Sequence, residues 1–355
     1  MIKLGIVGLG KMGLLHLRNA KLICGVKIEA AADASKKRLK IAESLGVRHL
    51  FTDYREMLRT DVDAVIIALP NWLHKDAAVE AAEAKKCIFI EKPLARTLEE
   101  CKVIINAVEK NGVLAMVGHN YRFLDCVEKV KEISDLGVIG EVEIATEEFV
   151  MNGPFAPSIY PSPVPEWYFN REKIGMGCLD SGYHLIDLFM HFFGDAELLY
   201  AHLDNRYHLP YEDNAILVLK SQKTSTKGVL NVGWFSKMIF PKFNFRMILH
   251  GTAGFVSTDQ FMPGNMYTHA MKEAAKNILR KILGMKIKPL TYTYYYASLF
   301  KEIEAFVNCL KKGCTPPITL YDALRVISLI DRVYKETFPL PQRPPEAGVC
   351  ISKSI

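Results

Sequence analysis

One acidic residue separates Lys92 from the apolar run Cys87-Ile88-Phe89-Ile90, so the tripeptide Glu91-Lys92-Pro93 sets an ammonium group where a buried strand ends. The run is short and β-branched at Ile88 and Ile90, as in strands covered on both faces, where an unpaired charge is costly. Only the carboxyl end of such a strand tolerates one, and open α/β sheets bind their ligands at those ends. Taken alone, the tripeptide reads equally well as a surface lysine before a proline turn. A second pair capable of chemistry is Asp180 and His184, spaced i, i+4, which a helix places on one face. A carboxylate there orients or tunes an imidazole, and an imidazole titrates near neutrality, as proton transfer to and from a hydroxyl requires.

A third constellation is the glycine turn Gly8-Leu9-Gly10-Lys11-Met12-Gly13, which follows an apolar run and opens a helix predicted over 14–20. Gly8 permits the tight turn, Gly10 lets backbone approach a pyrophosphate, Gly13 allows close helix packing, and the helix-start amides hold the anion. Asp33 stands 20 residues beyond Gly13 at the end of the next strand. A carboxylate there accepts the ribose hydroxyls of NAD and repels the 2′-phosphate of NADP. Lys36-Lys37-Arg38 just beyond offers a phosphate partner; NAD is expected ahead of NADP. At the same edge Leu69-Pro70-Asn71 ends another strand, Pro70 breaking it and Asn71 able to cap the following helix. His74 on that helix reads equally as a structural or a cofactor-side residue.

To position these groups, residues 2–120 alternate apolar runs with Ala/Lys/Glu-rich amphipathic stretches. Strands are predicted over 3–8, 27–32, 64–69, 87–90 and 113–118 with helices between them, giving a doubly wound parallel sheet. After a helix over 123–135 the pattern changes to strand-like runs at 141–151, 198–207, 215–221, 228–236, 243–250 and 254–257. Turn residues join them, which predicts an α+β domain with a mostly antiparallel sheet. The boundary falls at residue 122, with domains 1–122 and 123–340 and a loosely ordered tail 341–355. Five prolines in 152–166 make an irregular lid or a stiff connection. Closing helices are predicted over 296–311 and 320–334.

Composition narrows the class. With 355 residues, half of them hydrophobic, the chain can fill two cores, and its net charge of +6 comes without the basic, aromatic-interleaved stripe of a nucleic-acid groove. The amino terminus lacks a secretory pattern, and no apolar stretch approaches about 18 residues. Eight scattered cysteines without CxxC pairs read as reduced thiols, so a cytoplasmic location is expected. Asp180, His184, Asp187 and His191 recur near one helical face, but the last and first are separated by about 16 Å of helix, so no metal is expected. Residues 272–288 form a basic amphipathic helix, with Lys272, Lys276, Arg280, Lys281, Lys286 and Lys288 beside Ile278, Leu279, Ile282 and Leu283. The expectation is an apolar side packed on its own domain, membrane contact being the rarer outcome.

The ordered set of Gly8 to Gly13, Asp33, Pro70-Asn71-x-x-His74 and Glu91-Lys92-Pro93 resembles the glucose-fructose oxidoreductase, inositol dehydrogenase and MocA (Gfo/Idh/MocA) family. The resemblance continues in Tyr121-Arg122-Phe123, Trp167 and the stretch Gly175-Met176-Gly177-Cys178-Leu179-Asp180-Ser181-Gly182-Tyr183-His184. It implies a Rossmann domain, a second domain with a large open sheet used for substrate binding and homo-oligomerisation, and a site between them. It further implies that Lys92, Asp180 and His184 are catalytic, with His184 as acid/base, Lys92 stabilising alkoxide character and Asp180 binding substrate or tuning the other two. Whether His184 or Lys92 accepts the proton stays open. Arg122, Trp167 and Tyr168 would line the substrate side, and Glu91 and Lys92 would also face the cofactor. The implied activity is hydride transfer between NAD(P) and a secondary alcohol or ketone of a sugar, inositol or nucleotide sugar. Alternatives are a glycosidase- or epimerase-like internal redox cycle and a non-catalytic cofactor-binding regulator. Two departures touch the substrate side: Gly175-Met176-Gly177-Cys178 replaces a common triple glycine, and Tyr168 follows the tryptophan where an arginine is frequent.

Overall fold

In this computed structural model the residues described are 1–155, 166–235, 244–262, 266–285 and 294–337. The chain divides into two compact units. The first holds Met1–Ala95, Glu99–Glu128 and Met262–Leu324, and the second Arg96–Leu98, Lys129–Phe261 and Arg325–Ile355.

Short apolar runs build the first unit's sheet: β1 (Ile2–Val7), β2 (Val26–Ala32), β3 (His49–Phe51), β4 (Ala64–Ile67), β5 (Cys87–Glu91) and β6 (Ala115–Gly118). All pair in parallel, in the order β3-β2-β1-β4-β5-β6. Between them run α1 (Lys11–Lys21), α2 (Lys36–Ser44), α3 (Tyr54–Leu58), α4 (His74–Glu83) and α5 (Leu98–Asn111), followed by α6 (Asp125–Asp135). Every residue of β4 is 0% exposed, which is why its sequence is unbroken Ala-Val-Ile-Ile and not an alternation. Five of the six strands were predicted. The sixth, β3, is three residues long and too short to show any period. Strand order reverses between β1 and β4, the switch point where such sheets open a crevice at their carboxyl ends.

The second unit carries β7 (Val142–Met151), α7 (Arg171–Ile174), α8 (Leu179–Phe193), β8 (Ala196–Asp204), β9 (Asn214–Ser221), β10 (Lys227–Trp234), β11 (Asn244–Gly251) and β12 (Gly254–Ser257). The strands form one sheet in the order β12-β11-β7-β10-β9-β8, antiparallel throughout except for the β7/β10 pair. Alternation puts Ala145, Phe149, Leu217, Leu219, Leu230 and Val232 into the core against α8. The opposite face leaves Ile144, Ile216, Val229, Leu199, Tyr200 and Phe255 exposed.

Three helices complete the chain: α9 (Met266–Ile282), α10 (Tyr294–Lys312) and α11 (Leu320–Thr337). In the first unit α10 packs on α1 and on the turn Asn120–Phe123. The helix α9 overlaps the predicted 272–288 but starts at Met266 and ends at Ile282, and its orientation is the opposite of that expected: its large apolar residues are exposed. Residues 156–165 of the proline-rich stretch, Lys286, Lys288 and the tail 341–355 lie outside the described residues.

Candidate active site

The glycine turn between β1 and α1 has the geometry its residues were read for. Gly8 has φ +89°, and a Cβ on it would stand 2.5 Å from the Ala68 carbonyl oxygen. A Cβ on Gly13 would stand 1.8 Å from the Gly8 oxygen, so α1 closes on the turn only as glycine. At Gly10 a Cβ would meet nothing within 4 Å, leaving open space over the loop where a ligand's phosphates can approach the backbone. Asp33 is locked beside this space: its Oδ2 accepts the Leu9 N–H (2.7 Å) and its Oδ1 the Ser35 N–H (2.8 Å). Arg38 lies 3.5 Å from Oδ2, so of the neighbouring basic residues one is already turned to this carboxylate. Lys11, exposed as a residue, carries its ammonium 6.0 Å from the Tyr296 ring centre, where partial desolvation lowers its pKa to about 8. Met12 is half-buried on the same turn. These residues fit a dinucleotide: a glycine cradle, a helix amino terminus and a preset ribose acceptor.

The ends of β4 and β5 are tied together by His74. It is fully buried, and its Nδ1 and Nε2 each lie 2.9 Å from a backbone carbonyl, of Pro93 and Leu69 respectively. Burial lowers its pKa while the two carbonyls oppose the shift, and the neutral ring donates to one of them. Pro70 and Asn71 turn the chain between these points, and Lys92 follows β5 half-buried. On β5 itself Glu91 pairs with the buried His16 of α1. Glu302 of α10 completes a cluster whose ligand-type atoms lie within 4.8 Å of one another, the one such group of three found among the described residues. Neither oxygen of the Glu302 carboxyl has a hydrogen-bond partner there, and it is 0% exposed. Burial, and next the Glu91 charge, raise its pKa well above the carboxylate range. Arg122 is nearly enclosed and pairs with Asp322 at 3.3 Å.

In the second unit, α8 presents Asp180 half-buried and His184 buried, one turn apart. The His184 ring packs edge-on against Phe149 of β7 at 6.3 Å. What holds this helix start is Glu212, a residue the sequence did not single out. Its Oε1 accepts the N–H groups of Gly177 (2.8 Å) and Leu179 (3.1 Å) and the Tyr334 hydroxyl (2.9 Å), while its backbone oxygen accepts the Cys178 N–H at 2.9 Å. A Cβ on Gly177 would lie 2.1 Å from that backbone oxygen, so the glycine is required. Met176 and Cys178, where the triple glycine is interrupted, are buried packing residues. Trp234 Nε1 donates to Ser181 Oγ (3.1 Å) and ties α8 to β10. Under the helix Glu147 is fully buried, and burial first, then the Asp187 charge, raises its pKa well above the usual range. Trp167 is half-buried on the turn Glu166–Phe169, and the Tyr168 side chain lies outside what is described.

A parallel sheet in this strand order, with a glycine turn at its switch point and a fixed carboxylate at the end of β2, defines a dinucleotide-binding Rossmann domain. Comparison with known proteins agrees: residues 2–119 match the oxidoreductase family with an NAD-binding Rossmann fold, and 127–257 match the GFO/IDH/MocA C-terminal domain. The chain belongs to the Gfo/Idh/MocA oxidoreductase family, and NAD is its cofactor class. An uncharacterized oxidoreductase, YrbE, of Bacillus subtilis is 41% identical over 138 residues, a stretch covering 38% of this chain and 40% of that protein. The myo-inositol 2-dehydrogenase of Thermotoga maritima is 25% identical over 92% of this chain and 94% of its own length. The scyllo-inositol dehydrogenase of Lactobacillus casei, solved with NAD(H) and scyllo-inositol, shares the fold at TM-score 0.73 and 22% identity, over 95% of this chain and 98% of that one.

Two outcomes follow for buried carboxyls. Glu212→Ala strands two helix-start amides and is expected to cost about 2–4 kcal/mol in urea unfolding, whereas Glu212→Gln keeps an acceptor and costs about half as much. Glu302 keeps its proton in the folded state to a higher pH than in the unfolded chain. Stability from this group is therefore present below the unfolded pKa and is lost as pH rises toward the folded one. Glu302→Gln should unfold at higher urea than the parent, by a margin that grows between about pH 5 and pH 8; a margin independent of pH would mean that Glu302 is ionised in place.

Proposed function

We propose that this protein is an NAD-dependent dehydrogenase that moves hydride between the nicotinamide and a secondary alcohol or ketone of a polyol, an inositol or sugar being the substrate class. The observation that carries the proposal is the coexistence of a complete NAD cradle with Lys92, Asp180 and His184 in the family's motif positions. Full-length similarity to an inositol dehydrogenase supports the substrate class. When bound, NAD+ would supply the hydride acceptor; Gly8, Gly10, Lys11, Met12, Gly13, Asp33, Leu69, Pro70, Asn71 and Glu91 would hold or frame it.

The chain's own groups do the rest. As the carbinol hydrogen leaves with its electron pair, the hydroxyl proton passes to His184, a base suited to neutral pH. Lys92 donates a charge-assisted hydrogen bond to the oxygen as negative charge gathers on it. Asp180 binds a further hydroxyl or steadies the imidazole, and Glu212 is a positioning residue for both through α8. In this reading Arg122, Trp167 and Tyr168 line the substrate. Residues 1–122 then carry the cofactor groups together with Lys92 and Arg122, and 123–340 the other substrate groups, although Met262–Leu324 belong to the first compact unit. The exposed apolar face of the second sheet supports assembly into a homodimer or homotetramer. The seven described cysteines are free, as a reducing cytoplasm leaves them.

The test is a spectrophotometric screen of inositols, sugars and nucleotide sugars with NAD+ and NADP+. NADH should accumulate one for one with oxidised polyol, and Lys92→Met should lower turnover by about a thousandfold while leaving NAD affinity within about threefold. Product without net NADH would indicate an internal redox cycle, and undiminished turnover in Lys92→Met would remove the catalytic assignment.

A further inference from the structure

The helix α9 is built the wrong way round for a helix that merely packs. Its inward residue is Asn277, only 6% exposed, flanked by the partly covered Glu273 and Arg280. Arg280 Nη1 donates to Asn277 Oδ1 (2.8 Å), and Lys276 Nζ donates to Glu273 Oε1 (2.6 Å), so the one acid of the helix is neutralised locally. The large apolar residues face water: Met271 is 65% exposed, Ile278 65%, Leu279 56% and Ile282 75%, and the exposed side continues through Leu283 and Met285. At about 100° per residue these fall on one side of the cylinder, with Lys272 and Lys276 along one margin and Lys281 along the other. In the sequence two more lysines, Lys286 and Lys288, follow directly.

Six exposed large apolar side chains in one patch are more than a soluble surface normally carries, and they need a covering partner. The charge pattern says which. An apolar strip bordered on both sides by exposed lysines matches the interface of an anionic bilayer, in which acyl chains take the apolar side and headgroup phosphates take the lysines. A second copy of the same helix would bring like-charged margins toward each other. No helix among the described residues is long and apolar enough to cross a membrane. The two family-model matches end at residues 119 and 257, both before α9.

We propose that α9 is an interfacial helix that docks the enzyme on an anionic lipid surface, with Met271, Ile278, Leu279 and Ile282 inserted among the lipids and Lys272, Lys276 and Lys281 on the headgroups. The reading does not depend on the substrate, and neither does its test. Full-length protein is sedimented with vesicles of phosphatidylcholine alone and of phosphatidylcholine mixed with phosphatidylglycerol. It should pellet with the anionic vesicles only, and raising salt from about 0.1 to 0.5 M should release much of it. Ile278→Asp/Ile282→Asp and, separately, Lys272→Glu/Lys276→Glu/Lys281→Glu should each weaken vesicle binding at least about tenfold, while circular dichroism and NAD affinity stay as in the parent. Failure to pellet with anionic vesicles, or equal pelleting of parent and both variants, would overturn the proposal. So would concentration-dependent self-association that Ile278→Asp/Ile282→Asp abolishes in a protein that ignores vesicles, because the face would then belong to a second copy.

Discussion

A parallel sheet covered on both faces has no interior place for a charge, and the arrangement of the first unit follows from that constraint. Each residue of β4 and the centre of β5 are sealed, so the polar groups stand at or beyond the carboxyl ends: Asp33 after β2, Asn71 after β4, Lys92 after β5. These ends converge at the strand-order reversal, where Gly8 and Gly13 bring β1, α1 and the Ala68 carbonyl closer together than any side chain would permit. His74 extends the same logic, because a buried ring lies between the Leu69 and Pro93 carbonyls at the two strand ends and donates its one N–H to one of them.

In the second unit the equivalent device is Glu212. A helix start inside a core needs acceptors for its orphan N–H groups, and one buried carboxylate serves Gly177 and Leu179 together. The turn of α8 that carries Asp180 and His184 is thereby set by a residue more than a strand's length away in sequence. Glu302 and Glu147 are the contrasting case: each is buried with both oxygens lacking hydrogen bonds among the described residues, one beside Glu91 and the other beside Asp187. Burial, and next the neighbouring carboxylate, raises the pKa of each above the usual carboxylate range.

Much of this was legible in the sequence, for reasons that differ by element. The βαβ rhythm, the glycine turn and Asp33 are local patterns whose meaning is set within some 35 residues, and the i, i+4 spacing of Asp180 and His184 needs only a helix. Strand β3 was invisible because three residues carry no period. Glu212, His16 and Glu302 were missed because their significance lies in partners that no spacing reveals; Glu91 and Glu302 stand 211 positions apart. The orientation of α9 was misjudged for a physical reason as well: amphipathicity shows that a helix has two faces, but not which of them the protein covers.

The claim on which the account rests is that the carboxyl ends of β1 and β2 hold NAD, with Asp33 reading its ribose. Calorimetric titration of the parent protein and of Asp33→Ala with NAD+ and NADP+ tests it directly. The parent should bind NAD+ more tightly than NADP+, and Asp33→Ala should lose at least about tenfold in NAD+ affinity while NADP+ affinity holds or improves. Equal losses for the two cofactors, or NAD+ affinity untouched by the substitution, would contradict the account.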